Sequence, residues 1–107
     1  MIMSTVTNVI FVMSVDEFEA TQALQRISSF QFGTYWQPLK DDITGGSKNL
    51  ECEIYIGAFN YFDEDKFVDE LKMVEWKYPE EIQVMVRRQD DDKFITIYVG
   101  EEKEEGK

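Results

Sequence analysis

The chain contains no histidine. That removes the commonest general base, the Ser-His and Cys-His nucleophile pairs and the usual zinc sites. Its one thiol, Cys52, stands in the alternating segment Leu50-Glu51-Cys52-Glu53-Ile54-Tyr55-Ile56. There it reads as a small buried hydrophobe rather than a nucleophile, and a lone cysteine permits no intramolecular disulfide. Carboxylates are plentiful: 22 Asp and Glu face 11 Lys and Arg, for a formal charge of −11. Asp90-Asp91-Asp92 could offer oxygens to a hard cation, but the run lacks the alternating ligands and closing bidentate glutamate of a calcium loop. It reads as a solvated turn, and Asp41-Asp42 is a weaker candidate still. Gly45-Gly46-Ser47-Lys48 lacks the strand before it and the helix after it that a phosphate cradle requires. No two acids are set apart by spacing for acid–base work. The inventory points to a non-catalytic protein with no cofactor and no bound metal.

Acids and aromatics in this number can bind instead. A strong negative charge disfavours nucleic acid and anionic membrane and speeds encounter with a basic protein. The acidic surface is expected from Asp63, Glu64, Asp65, Asp69, Glu70 and Glu75, with Asp90, Asp91 and Asp92 alongside. Such a row could also occupy a partner's phosphate-binding groove as a mimic of nucleic-acid charge. Interleaved Lys66, Lys72 and Lys77 offset it, with local pairs such as Lys66 and Glu70. The aromatics exceed what a small two-layer core obviously needs. Tyr35, Trp36, Tyr61 and Trp76 are the candidates for a partly exposed patch, which would serve as protein–protein anchors or line a small-molecule pocket. The expected function is that of a small acidic inhibitor, immunity or regulatory factor docking on a basic partner protein. The alternative is a homodimeric α+β ligand-binding domain with an aromatic-lined pocket.

The elements that position these residues follow from periodicity. Val9 to Met13 is near-continuously apolar and reads as a central strand buried on both faces. Ser14 and Glu17 fit a capping box, with Met13 and Phe18 as its staple, opening a helix to about Ser28 whose core face is Ala20, Leu24 and Ile27. Phe30 to Leu39 is broken by Gly33 and Pro38, so it reads as an edge strand or irregular segment, and Lys40 to Asn49 as a polar loop. Leu50 to Ile56 alternates, with Leu50, Cys52, Ile54 and Ile56 expected inward, before an aromatic connection from Gly57 to Phe62. Asp63 then caps a helix stapled by Phe62 and Phe67, with Phe67, Leu71 and Val74 as its apolar face and Pro79 as its stop. Ile82 to Arg87 and Phe94 to Val99 form a hairpin around the turn from Gln89 to Lys93.

The order is β-α-β-β-α-β-β. It predicts an α+β two-layer sandwich, ferredoxin-like or a related split β-α-β, with a mostly antiparallel sheet and both helices on one face. Residues 1–100 are expected as one domain and 101–107 as a charged flexible tail. The two strand–helix units are not a true repeat, since aligning their staples sets Gln22 against Leu71. The N-terminus has no basic region and too short an apolar run for a signal peptide or spanning helix, so a soluble cytoplasmic protein is expected.

One string needs separate treatment. Ile54-Tyr55-Ile56-Gly57-Ala58-Phe59 resembles the first-strand motif of an RNA-recognition domain, and the acid-started helix after it fits as well. The resemblance implies a Tyr55 that stacks on a base. The chain after Ile54 is too short for that whole domain, no basic-aromatic motif follows on the later strands, and the charge is strongly negative. RNA binding is therefore not expected.

Overall fold

The computed structural model describes residues 5–30, 32, 36–40 and 45–99. Tyr35, the Asp41-Asp42 pair and segment 101–107 lie outside the described residues. The elements are β1 (Val6–Ser14), α1 (Phe18–Ile27), β2 (Gln37–Pro38), β3 (Cys52–Asn60), α2 (Glu64–Lys72), a 3-10 turn (Pro79–Glu81), β4 (Gln83–Arg87) and β5 (Ile95–Tyr98). The strands form one sheet in the order β2-β3-β1-β4-β5, and every pairing is antiparallel. Both helices cover the same face. Phe67 of α2 packs edge-on against Phe11 of β1 at 5.9 Å, and the Thr21 hydroxyl of α1 donates to the sulfur of Met13, also on β1, at 3.3 Å. No helix among the described residues is long and apolar enough to cross a membrane.

Register decides which residues form the core. Phe11 pairs with Tyr55 on one side and Val84 on the other, so these three share the helix-covered face. Phe11 is the hub there. Its ring meets Phe32, Trp36, Tyr55, Phe67 and Trp76 at centroid distances from 5.7 to 6.5 Å. Phe11, Leu24, Phe67 and Leu71 are fully buried, each contributing about 1.5–3 kcal/mol by leaving water.

Strand β3 therefore faces opposite to the expectation. Tyr55 and Phe59 pack against the core, while Ile54 and Ile56 look out from the other side of the sheet. The physical reason is size: aromatic rings remove far more area from water than the aliphatic set on the alternate positions. The ring of Phe59 folds back over Gly57, where an added Cβ would stand only 2.7 Å from it. The strand also runs on to Asn60, through the segment expected as a connection. Tyr61, at φ 53°, makes the left-handed turn out of it. Likewise β1 starts at Val6 and is buried on one face only, its alternate residues half-exposed.

The two helix starts differ. At α2 the expectation holds: the Asp63 carboxylate accepts from the Lys66 N–H at 3.1 Å, and Phe62 meets Phe67 at 5.5 Å. Its apolar face, Phe67, Leu71 and Val74, is buried. The helix ends at Lys72, however, and Pro79 opens the 3-10 turn instead of closing α2. At α1 there is no capping box. Glu17 makes no cap, Ser14 Oγ accepts from the Asp16 N–H at 3.2 Å, and Phe18 is left 71% exposed. Ile27, expected in the core, is exposed as well. Gln37–Pro38 forms a two-residue edge strand, as the proline requires.

Candidate functional site

The expected acidic row does not form one surface. Glu70 is buried, and its Oε2 accepts from the N–H of Ser29 at 3.0 Å and from its hydroxyl at 2.7 Å. It neither faces solvent nor pairs with Lys66; its Oε1 has no partner among the described residues. Glu64 is taken up by Arg88, whose Nε and Nη2 donate to its two oxygens at 2.6 Å each. The same guanidinium reaches Asp91 at 3.4 Å. Hydrogen bonding and attraction from Glu64 raise the Arg88 pKa further above its ordinary value, against a small opposing effect of burial. Asp91 also accepts from the Arg88 N–H at 3.0 Å, so it serves its own turn. Asp63, Asp65, Asp69, Glu75, Asp90 and Asp92 are exposed. No group of acids, cysteines or histidines able to hold a metal exists among the described residues.

The aromatic patch is also redistributed. Trp36 and Trp76 are core residues at 2% and 9% exposure, not surface anchors. Each indole N–H finds a carbonyl, Trp36 that of Phe30 at 3.2 Å and Trp76 that of Leu71 at 2.8 Å. The Leu71 carbonyl, in the last turn of α2, accepts from the Val74 N–H at 3.2 Å as well. Trp36 stacks on Phe67 at 5.1 Å and 18°. The rings pack into the core against one another. Of the four candidates Tyr61 is 64% exposed, and Tyr35 lies outside the described residues.

What sequence reasoning missed is the far face of the sheet. Neither helix lies on it. Cross-strand pairs Ile10–Ile56 and Val12–Ile54 run down its middle. Met85 pairs with Ile10 from β4, and Tyr98 and Thr96 continue the face on β5. Val6, Ile56, Phe94 and Tyr98 are between 37% and 63% exposed. An open groove of about 500 Å³ crosses it, lined by Asn8, Ile10, Gln37, Ile56, Ala58 and Phe94. Among the described residues not one strand position on this face is acidic, and Arg87 is the only charge on it. In a chain with 22 carboxylates that is strong segregation. The available signal was that β3 is apolar at both parities.

A second concavity of about 520 Å³ opens between the start of α1 and the chain after α2, lined by Asp16, Phe18, Glu19, Glu75, Trp76 and Lys77 among others. Of the expected acids only Glu75 contributes to it.

No protein-family model, curated protein or solved structure matches this chain.

Proposed function

We propose that this chain is a non-catalytic protein-interaction module whose docking surface is the uncovered face of the sheet. One observation carries the reading: the face left open by both helices has an aliphatic middle, a groove and, among the described residues, no carboxylate, in a strongly acidic chain. Solvated proteins seldom leave so contiguous an apolar surface uncovered unless something binds it. Exposed Phe94 and Tyr98 at its rim are of the type that anchors interfaces. The strand order β2-β3-β1-β4, with α1 and α2 as crossovers and β5 added at the β4 edge, supports reading the fold as a ferredoxin-like pair of split β-α-β units. That arrangement leaves one sheet face without helices.

The basic-partner reading has its own support at the second concavity. Exposed Phe18 stands there beside Asp16, Glu19 and Glu75, with Lys77 as the one cation in the lining, an aromatic in a mainly acidic setting. A charge mimic built on α2 is less favoured, because Glu70 is buried and Glu64 is already held by Arg88.

Two charge insertions separate these readings. Ile56→Asp places a charge on the open sheet face, and Glu75→Lys reverses one beside Phe18. Loss of partner or self-binding with Ile56→Asp alone supports the sheet face. Loss with Glu75→Lys alone, and binding weakened by salt, would transfer the function to the acidic concavity.

A further inference from the structure

We infer that the open sheet face is covered by the same face of a second copy of this chain, in a twofold-symmetric dimer with helices and acids outward. This rests on the docking surface proposed above and adds its occupant. Charge selects the occupant. A partner chosen by attraction to acids would need carboxylates to recognise, and this face offers none. A second copy meets no opposing carboxylate here among the described residues, and Arg87, the one charge on the face, lies beside Asn8 and away from the central Val12–Ile54 pair, so two chains of −11 can approach through this face without acid against acid. Three layer spacings of ~10 Å set the acids of the two helix layers on the order of 30 Å apart. That is well beyond the ~8 Å over which charge is felt at physiological salt.

The extent of the face agrees. Strands ~4.8 Å apart rising ~3.3 Å per residue give each residue roughly 16 Å² of sheet. Two nine-residue strands with their three shorter neighbours make a plan area on the order of 500 Å². Projecting Ile56, Phe94 and Tyr98 raise the accessible area toward the ~800 Å² per partner of a stable interface. The apolar pairs Ile10–Ile56 and Val12–Ile54 lie at its centre, with Gln37 on the edge strand and Asn8 and Gln83 set among them as polar positions able to hydrogen-bond across a twofold interface.

Sedimentation equilibrium of the full chain tests this, run across concentration at about 20 and 300 mM salt. A dimer is expected whose dissociation constant tightens several-fold at the higher salt, as repulsion between acidic copies is screened. Ile56→Asp should weaken it by at least on the order of a hundredfold while leaving the far-UV circular dichroism unchanged. Met85→Lys on β4, across Ile10 of β1 from Ile56, should do the same and serves if Ile56→Asp disturbs folding. A dimer that both variants leave intact overturns the inference and the docking surface together. A wild-type monomer at every concentration overturns the second copy. In that event, binding of an apolar fluorescent dye that Ile56→Asp abolishes would keep the face as a site for another protein, and dye binding that Ile56→Asp leaves unchanged would remove that too.

Discussion

Glu17 and Glu70 hold reciprocal positions: each buried carboxylate fastens the chain that leaves the other's helix. Glu17, just before α1, accepts from the N–H groups of Lys77 and Tyr78 beyond α2 at 2.9 and 2.8 Å. Glu70, near the end of α2, accepts from Ser29 just beyond α1. The helices thus lock side by side over the sheet through side-chain-to-backbone bonds. Removing either carboxylate leaves these part-buried amides without their acceptor and the two helix ends without their tie.

Glu17→Ala should therefore destabilise the fold by about 2–4 kcal/mol, since two backbone donors lose a charged acceptor. Glu17→Gln keeps an acceptor and should cost less. Denaturant unfolding measures both, and hydrogen exchange should show the loss first at the Lys77 and Tyr78 amides.

Arg88 ties the first turn of α2 to the β4–β5 hairpin. Its side chain is 44% exposed, so Arg88→Ala should lower stability by no more than about 1 kcal/mol and by less at high salt. Faster exchange of the Asp91 amide, which donates to the Arg88 carbonyl at 3.0 Å, is the local sign to look for.

Burial first, and then the neighbouring Glu53 carboxylate, push the Tyr55 phenol above its usual pKa of 10.0. A pKa raised on folding means stability that is whole below the unfolded value and lost as pH climbs through the folded one. Stability should fall as the solution passes upward from about pH 10. An ultraviolet titration should show one tyrosine ionising late, and Tyr55→Phe should remove that late step.

Both tryptophans are buried, so emission should be blue-shifted and resistant to iodide quenching. Trp36→Ala should cost about 3–5 kcal/mol, because Trp36 stacks on Phe67 and meets Phe59 at 4.9 Å. Red-shifted, freely quenched emission would restore the exposed patch that composition alone suggested.

Local signals were readable where chemistry is local. Asp63, the Phe62–Phe67 staple, the proline-marked edge strand and the element order all follow from residue type and short spacing. The inward face of β3 was not readable, because Cys52, Ile54 and Ile56 compete with Tyr55 and Phe59 for one core. Only the helices opposite, and Phe11 on the neighbouring strand, decide the winner. Glu17 misled for a related reason. Its spacing from Ser14 fits a capping box, but a loop 60 residues away in sequence offers two backbone donors to the buried carboxylate that local pattern cannot register. Charge counting failed in the same manner at Glu70 and Glu64, whose partners Ser29 and Arg88 lie on other elements. The open sheet face is a product of topology: it exists because both crossovers go to the same side.

The most direct test is the accessibility of the Ile56 methyls to a soluble paramagnetic probe, followed by nuclear magnetic resonance from dilute to concentrated protein. Phe18 and Met73, at 71% and 72% exposure on the helix side, are the internal controls. The account predicts that Ile56, Met85 and Tyr98 lose their probe-induced relaxation as concentration rises while Phe18 and Met73 keep theirs. Equal relaxation of Ile56 and Phe18 at every concentration, with or without a captured partner, would contradict it.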